Sequence, residues 1–322
     1  MLGAIRSDAT VQGIACMLGA MLALSLNDAI VKWISGEYAL HEIVFVRSTV
    51  ALAVTLAYVA FDGGVAVLRT RRPAMHLMRS FLLMLMNMGF FAALATLTLA
   101  QTGALFFVAP LLITALSAPM LGERIGPWRW GAVLVGMAGM VVMLRPGTQA
   151  FEPAALLPVG AAAAYALMQI LTRRLGATER ASTMAFYIQI SFLAVSLLIG
   201  FAVGDGRFGG TGHPSLDFLL RAWVPPDVAD LSLMAVCGVL IGIVGILLSQ
   251  AYRIAEATLM APFEYAYLPL AVLWGVTVWG DWPDGIALAG IALIAGAGMV
   301  VFWRETVRGR VIAARDPLPR QR

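Results

Sequence analysis

Long apolar runs, separated by short polar turns, cover almost the whole sequence. A helix that crosses a lipid bilayer needs about 20 mostly apolar residues. Runs of about that length predict ten membrane-spanning helices, at residues 11–34, 40–61, 75–98, 101–121, 127–144, 153–175, 182–204, 231–254, 257–279 and 284–303. The one long connection, residues 205–230, contains SLDFLLRAW at 215–223. That stretch predicts a short amphipathic helix at the membrane interface.

The composition agrees with an all-α integral membrane protein. Hydrophobic residues make up 61% of the 322 residues and charged residues 12%, whereas about a quarter of a soluble domain is charged. So few charges cannot cover a soluble surface, so the apolar excess is expected to face the lipid bilayer. The first run is too long for the apolar region of a signal peptide, which predicts an uncleaved first helix.

The placement of basic residues predicts the orientation of the chain. With the N-terminus in the cytoplasm, seventeen basic residues, Arg79 among them, fall on the cytoplasmic side and four on the other. Cytoplasmic loops carry such an excess in membrane proteins. Both termini are therefore predicted to be cytoplasmic. The same placement argues against nucleic acid as a partner, and the single lysine beside 21 arginines favours a bacterial inner membrane.

The sequence contains an internal repeat. At offsets of 159 and 141 residues the matched positions include Pro110 with Pro269, Gly139-Met-Val-Val142 with Gly298-Met-Val-Val301, and Phe45 with Phe186. The predicted units are two five-helix repeats, 1–147 and 148–305, followed by a basic tail, 306–322. Because five is odd, the second repeat enters the membrane from the opposite side. Such inverted repeats place a solute site near the midplane between the halves, which predicts transport by alternating access.

Several stretches carry a recognisable family pattern. They are HEIVFVR (41–47), LRTRRPAMHLMRS (68–80), LTLAQTGALFFVAPL (97–111), LGERIGPWRWGAVLVGMAGMVVMLRPG (121–147) and APFEYAYLPLAVLWG (261–275). Together they resemble the EamA-type branch of the drug/metabolite transporter superfamily over residues 11–305. The resemblance implies ten helices in a five-plus-five inverted arrangement and transport of small organic metabolites.

Two local details refine this resemblance. The APFEY stretch and the basic 68–80 loop are similar to those of members that carry S-adenosylmethionine or amino-acid-like solutes. The second half departs from the family at GDWPD (280–284), because the glycine–glutamate turn present at Gly122-Glu123 is missing there.

Two charged residues inside predicted spans are the first candidates for a substrate site. A charge at a helix centre costs about 2.5–3.5 kcal/mol on insertion scales. Arg47 lies about seven residues into the second helix, and Asp28 lies about six residues from the end of the first, so both are roughly 10 Å deep at 1.5 Å per residue. One interpretation is a fixed salt bridge between them. The other is that Arg47 binds a substrate carboxylate when Asp28 releases it.

A third buried charge, Glu264, occurs in only one half, because its repeat counterpart is Leu105. This asymmetry suggests contact with the substrate. Glu264 is a candidate for binding a cationic amine or a coupling proton; the alternative is an acid that reaches the nearby membrane interface. Tyr265 and Trp274 are candidate cavity residues because they lie close to Glu264 and Pro269.

The repeat-related prolines, Pro110 and Pro269, are predicted to bend the fourth and ninth helices. A proline removes a backbone hydrogen bond and kinks a helix. Because the two occupy matching positions, we expect them to act as hinges around the cavity.

The sequence therefore predicts a secondary active transporter of a small organic metabolite, with an amino-acid-like, carboxylate or S-adenosylmethionine-like solute. The alternative is an integral-membrane enzyme acting on a lipid or small metabolite. Against the enzyme, the three histidines are scattered and no HExxH or nucleophile-elbow motif occurs. We expect no catalytic residues, no metal site and no cofactor. Protons are a candidate coupling ion, and the sequence leaves monomer and homodimer open.

Overall fold

The computed structural model describes residues 2–121, 126–148, 152–175, 181–254 and 263–307, and within these ranges it has helices and no strands. The α-helices are α1 (Leu2–Ile34), α2 (Leu40–Phe61), α3 (Pro73–Leu94), α4 (Leu99–Phe106), α5 (Ala109–Leu121), α6 (Pro127–Leu144), α7 (Leu156–Leu175), α8 (Ala181–Val203), α9 (Pro214–Leu220), α10 (Val228–Ile254), α11 (Tyr267–Trp274) and α12 (Gly285–Val307). Short 3-10 turns lie at Val65–Leu68 and Pro153–Ala155, and a π-helical turn at Gly275–Trp279.

Eight helical segments in the described ranges are long and apolar enough to cross a membrane. They are Val11–Ile34, Leu40–Phe61, Pro73–Leu94, Leu99–Leu116, Pro127–Leu144, Pro153–Thr172, Ser182–Val203 and Val228–Leu248. Two shorter apolar helices follow, Tyr267–Trp279 and Gly285–Val300. The all-helical membrane class predicted from the sequence is confirmed. The start of the predicted ninth span, the Gly122-Glu123 turn and most of the basic tail lie outside the described residues.

The predicted fourth and ninth spans are both interrupted just before their prolines. Helix α4 ends at Phe106 and α5 begins at Ala109, because Pro110 has no N–H to donate to the Phe106 carbonyl. In the same way, a turn at residues 265–266 precedes α11, and Pro269 cannot donate to the carbonyl of Tyr265. The two breaks therefore have the same local cause and lie at matching positions in the two halves.

The helices pack in pairs that draw one partner from each half of the chain. The pairs formed between the halves are α1 with α10 and α11, α2 with α8 and α10, α3 with α7 and α8, α4 with α7 and α11, α5 with α7, and α6 with α12; within the first half, α5 also packs against α6. Helices α2 and α10 approach closely at Gly238, where a Cβ atom would lie 2.5 Å from the Cβ of Val50 and 2.6 Å from the Arg47 carbonyl oxygen. Small residues permit such contacts between membrane helices.

Of two predictions about the connecting segments, the one for the long connection is confirmed and the one for the 68–80 loop is wrong in part. The short helix predicted in the long connection is confirmed as α9, which packs against α2 and α3 and buries Phe218 completely. The treatment of Arg79 as a residue of a cytoplasmic loop is wrong. Helix α3 already begins at Pro73, and the Arg79 side chain is only 8% exposed inside the bundle.

Candidate functional site

Asp28 is a buried acid on α1, with 4% of its surface exposed. Its Oδ2 accepts a hydrogen bond of 2.7 Å from the Tyr267 hydroxyl of α11, and its Oδ1 accepts one of 2.9 Å from the Asn27 amide. Tyr267 is also buried, so the bond joins the first and ninth predicted spans within the bundle. Both donors are neutral, and the carboxyl group is held in place by them.

Arg47 is buried on α2 with 3% exposure, and its contacts are on α3. Its Nη2 donates a 3.3 Å hydrogen bond to Asn87 Oδ1, and its guanidinium carbon lies 5.3 Å from the centre of the Phe91 ring. An aromatic face attracts a guanidinium at that distance. Arg47 and Asp28 are both described, and no ion pair within 4 Å joins them. The fixed salt bridge considered from the sequence is therefore wrong for this structure, and substrate binding by Arg47 stays a prediction.

Helix α1 presents a polar stripe rather than a single acid. Ser25 accepts a 3.1 Å hydrogen bond from Trp274 Nε1, and Lys32 donates to the Leu94 and Leu97 carbonyls at 3.1 and 2.6 Å. With Asp28 they are spaced three and four residues apart, which places all three on one helix face. That spacing was visible in the sequence and could have identified Ser25. Trp274, predicted from its position, is thus in contact with the same helix as Asp28.

An aromatic cluster surrounds the two helix breaks. The ring of Phe107, at the first break, lies 5.3 Å from the ring of Tyr265 and 5.6 Å from that of Tyr267. Gly103 of α4 makes room for Tyr267, because a Cβ atom there would lie 2.6 Å from the ring. Pro110 and Pro269 thus lie next to the aromatic contacts that hold the broken helices together. Their role as hinges stays a prediction.

Tyr265 and Glu264 lie on the opposite side of the second break from Tyr267. The Tyr265 hydroxyl is buried without a hydrogen-bond partner among the described residues. It packs against Gly298 of α12, where a Cβ atom would collide with it. Glu264 is half-buried and lies within electrostatic reach of the Tyr165 and Tyr265 hydroxyls. The structure therefore places Glu264 among aromatic hydroxyl groups rather than beside Asp28.

A second polar cluster was missed by the sequence reasoning. Arg79 Nε donates a 2.7 Å hydrogen bond to Thr172 Oγ1 of α7, and its Nη1 donates to the Met184 carbonyl of α8 at 3.3 Å. Close by, Gln169 Nε2 donates a 2.8 Å bond to the Tyr165 hydroxyl. The sequence did contain a signal for this cluster, because Arg79 lies six residues after Pro73 and therefore within the third helix. No three His, Cys, Asp or Glu side chains within the described ranges are placed to hold a metal ion together.

A cleft between α2, α3 and α8 reaches the partner of Arg47. Its lining residues are Leu40, His41, Val44, Met84, Asn87, Met88, Phe192, Val195, Ser196 and Ile199. Most of these are apolar, and Asn87 is the side chain that accepts from Arg47. The cleft therefore connects the start of α2 with the polar cluster around Arg47.

One polar contact outside the spans joins the ends of two helices. The Arg145 guanidinium, just after α6, donates to both carboxylate oxygens of Asp284, just before α12. This hydrogen bond, together with one from the backbone N–H of Ala287, lowers the pKa of Asp284 below its usual value. The pair fixes the ends of α6 and α12 together, and it lies away from the buried cluster.

Apolar helices of membrane-spanning length, with charged groups buried between them, define a multi-pass membrane protein. Residues 11–145 match the EamA-like transporter family. The resemblance to EamA-type members of the drug/metabolite transporter superfamily that the sequence predicts is therefore confirmed.

Curated relatives extend this likeness over nearly the whole chain. A riboflavin transporter of Vibrio cholerae is 29% identical and covers 93% of this chain and 95% of its own length. An S-adenosylmethionine uptake transporter of Rickettsia prowazekii is 27% identical, over 91% of this chain and 93% of its own. A pseudopaline exporter of Pseudomonas aeruginosa is also 27% identical, over 90% and 95%. One crystal structure, at 24% identity and a TM-score of 0.61, covers 95% of this chain and 99% of its own, and shares the fold.

Proposed function

We propose that this protein is a secondary transporter of a small organic metabolite in the bacterial inner membrane and that it works by alternating access. Its full-length relatives are named for riboflavin, S-adenosylmethionine and pseudopaline, all of which are small molecules with polar or charged groups. The solute class we propose is amino-acid-like, carboxylate or S-adenosylmethionine-like. Both termini are proposed to lie in the cytoplasm, on the basis of the basic residues.

The observation that carries this proposal is the buried polar cluster between helices of the two halves. Asp28 binds Tyr267 from the ninth predicted span, while Arg47 is held by Asn87 and Phe91. Asp28 lies within electrostatic reach of Arg47 but forms no ion pair with it within 4 Å. Ionisable groups inside a membrane protein are costly and usually mark a solute or ion pathway. An arginine whose charge is not neutralised by a bound acid is suited to bind a substrate carboxylate.

The helix packing supports an inverted five-plus-five arrangement. We take the two shorter apolar helices, α11 and α12, as the ninth and tenth spans, and α4 with α5 as the fourth. Exchanging each span for its counterpart five spans away then converts the packed pair α1–α10 into α7–α3, and α2–α10 into α8–α3. It also converts α1–α11 into α7 with the broken fourth span. Each product is itself a packed pair, as a two-fold relation between the halves requires.

Glu264 is our candidate for the group that binds a cationic amine or a coupling proton. It is half-buried near the hydroxyl groups of Tyr165 and Tyr265, and the corresponding position of the first half is Leu105. A solute with both an amine and a carboxylate would then contact Glu264 and Arg47 from opposite sides of the aromatic cluster.

Uptake into proteoliposomes tests this function. Purified protein would be reconstituted and offered labelled S-adenosylmethionine, riboflavin, glutamate and methionine one at a time, with and without an imposed proton gradient. We expect accumulation of at least one solute, which the variant Arg47→Ala should slow by roughly tenfold to a hundredfold. The exposed residue Trp128 offers a control, because Trp128→Phe should leave uptake unchanged. Failure to accumulate any of these solutes by folded protein would contradict the proposed solute class.

The same vesicles separate transport from the enzymatic alternative. Mass spectrometry of the accumulated solute should recover it unchanged. A chemically altered product, formed at the rate of uptake, would favour an integral-membrane enzyme.

A further inference from the structure

Two short connecting segments each lie against a helix of the other half of the protein. Residues 62–68, called the first strap, join α2 to α3. Residues 221–224, called the second strap, lie in the connection between α8 and α10. Each strap makes its contacts with the first turns of a helix that belongs to the other half.

The first strap is held by hydroxyl groups at the start of α8. Ser182 Oγ donates a 2.5 Å hydrogen bond to Asp62 Oδ2, and Thr183 Oγ1 donates one of 2.6 Å to the Val67 carbonyl. One turn later, the Tyr187 hydroxyl donates to the Leu68 carbonyl at 3.1 Å. These three side chains bind the strap along most of its length.

The second strap is held by the start of α2 and by Ser35, which directly follows α1. Glu42 Oε2 accepts a 3.3 Å hydrogen bond from the backbone N–H of Val224, and Arg221 Nη1 donates to the Ser35 carbonyl at 3.2 Å. The ring of Trp223 packs against the rings of His41 and Phe45, with centres 5.8 and 5.6 Å apart. Glu42 is 4% exposed, so its carboxylate is buried by the strap.

The two contacts occupy corresponding positions in the repeat. An offset of 141 residues, which matches Phe45 with Phe186, also matches His41 with Ser182 and Glu42 with Thr183. The straps correspond as well, because each follows the second helix of its own half. Between the starts of α2 and α8 the chain passes through five of the membrane-length segments. Because five is odd, the two contacts lie on opposite faces of the membrane.

Each strap also lies over one of the buried polar clusters. His41, beneath the second strap, lines the cleft that contains Asn87, the hydrogen-bond partner of Arg47. Beside the first strap, Met184 follows Thr183 and its carbonyl accepts from Arg79, which also binds Thr172. Releasing a strap would therefore uncover a different cluster on each face.

We propose that the two straps are the gates of the transporter, and that Glu42 and Thr183 are the residues that hold them closed. This inference rests on the proposed transport function. Both gates are closed in this structure, and transport requires that they open in turn. The gates correspond in position but differ in chemistry, because one is held by a buried carboxylate acceptor and the other by a hydroxyl donor. Each can therefore be weakened separately.

Thiol labelling from one side of the membrane tests the gates. In a background with Cys16→Ala and Cys237→Ser, one reporter is Ser196→Cys in the cleft behind the second strap. The other is Thr172→Cys, behind the first strap. A membrane-impermeant maleimide would be applied to intact cells and to inverted vesicles, and the rate of modification of each reporter measured.

Each gate variant should affect one reporter only. Glu42→Ala should raise the labelling rate of Ser196→Cys at least about threefold, with no rise at Thr172→Cys, because loss of one contact shifts the population towards a state open on that face. Thr183→Val, which removes the hydroxyl at nearly constant size, should do the reverse. Glu42→Gln retains an acceptor for the Val224 N–H and should label like the parent. Equal changes at both reporters, or no change at either, would overturn the proposal.

Disulfide trapping provides a second measurement that does not depend on weakened variants. Oxidation of the pair Glu42→Cys and Val224→Cys should suppress labelling of Ser196→Cys and leave Thr172→Cys reactive. Continued labelling of Ser196→Cys in the trapped protein would argue against a gate at the second strap. Since labelling needs no solute, side-specific labelling supports the gates even where the uptake assay fails. Equal labelling overturns them even where uptake succeeds.

Discussion

Asp28 and Gln169 occupy corresponding positions in the first and sixth spans, 141 residues apart, and each is hydrogen-bonded to a tyrosine hydroxyl. Asp28 accepts from Tyr267 at 2.7 Å, and Gln169 donates to Tyr165 at 2.8 Å. The contacts differ, because Asp28 accepts from a tyrosine of another span, whereas Gln169 donates to a tyrosine one turn away on its own helix. Only the first half has a carboxylate there.

Arginine shows the same difference between the halves. Arg47 on α2 corresponds to Ile188 on α8, so the buried guanidinium is also confined to the first half. The scaffold is thus nearly symmetric, whereas the charged groups that we propose to contact the solute are not. A solute is itself asymmetric, and a site that binds its carboxylate in one orientation needs charge on one side only.

Among the changes that test this difference between the halves, replacing Arg47 should have the largest effect on the uptake rate. Loss of a buried charge-assisted hydrogen bond is worth about 1.5–3 kcal/mol, so Arg47→Ala should slow uptake by roughly tenfold to a hundredfold at about 1.4 kcal/mol per decade. Arg47→Lys should retain part of the activity, because a lysine keeps the charge but not the planar donor geometry. The matched change Ile188→Ala should alter uptake little. Uptake within twofold of wild type in Arg47→Ala would show that the charge is not used.

The tyrosine contacts of the two halves can be compared by double-variant cycles. Tyr267→Phe and Asp28→Asn should each reduce the uptake rate about tenfold, and their effects should not add, because the two side chains share one hydrogen bond. The pair on α7, Tyr165→Phe and Gln169→Leu, should reduce it only about twofold, since the hydrogen bond between these two side chains joins neutral groups. Equal coupling in both cycles would show that the carboxylate adds nothing to the contact.

A steric change at α4 should affect stability rather than chemistry. In Gly103→Ala the new methyl group would meet the ring of Tyr267 at 2.6 Å, and overpacking of this kind costs about 1–3 kcal/mol. Gly160 on α7 is the matched control, because a Cβ atom there has nothing within 4 Å. Gly160→Ala should leave the unfolding temperature in detergent unchanged or raise it, since alanine is the better helix former. If both variants unfold at the same temperature, the contact between Gly103 and Tyr267 does not constrain the fold.

The smallest effect is expected where the halves meet at an exposed ion pair. Asp284→Asn removes the partner of Arg145, and exposed pairs contribute at most about 1 kcal/mol. Because the pKa of Asp284 is lowered in the folded protein, the pair stabilises above the usual aspartate pKa. That stabilisation is lost as the pH falls through the lowered value. Unfolding temperatures at pH 7 and at pH 3 should therefore differ less in the variant than in wild type. An identical pH dependence in both proteins would refute a stabilising pair.

Much of the architecture could be predicted from local properties of the sequence. Hydropathy located the membrane-length helices, and α9 was recognised from its amphipathic pattern. Pro110 and Pro269 were correctly expected to interrupt their spans, because a missing N–H acts within one turn of the chain. Such features depend on a few neighbouring residues, and for that reason they are readable without the fold.

The polar contacts could not be predicted in the same way. Arg79 was counted with the basic 68–80 loop although it also falls within the predicted span 75–98, and hydropathy does not show whether an arginine near a helix end is solvated or buried. Tyr267 was passed over in favour of Tyr265, although it is Tyr267 that binds Asp28. Tyr265 lies in the turn at the helix break, whereas Tyr267 is the first residue of α11. Which of the two rings reaches Asp28 depends on how α4 and α11 pack around Phe107.

The sequence alone determined that this is a membrane protein, which segments are apolar enough to cross the membrane, and where the fourth and ninth predicted spans break. These follow from side-chain hydrophobicity and from backbone chemistry within single segments. Only the tertiary structure decided that Asp28 binds Tyr267 across 239 residues, that Arg47 donates to Asn87, and that each strap contacts the other half of the chain. Those contacts depend on helix rotation and on distances between segments far apart in the chain, which no local pattern specifies.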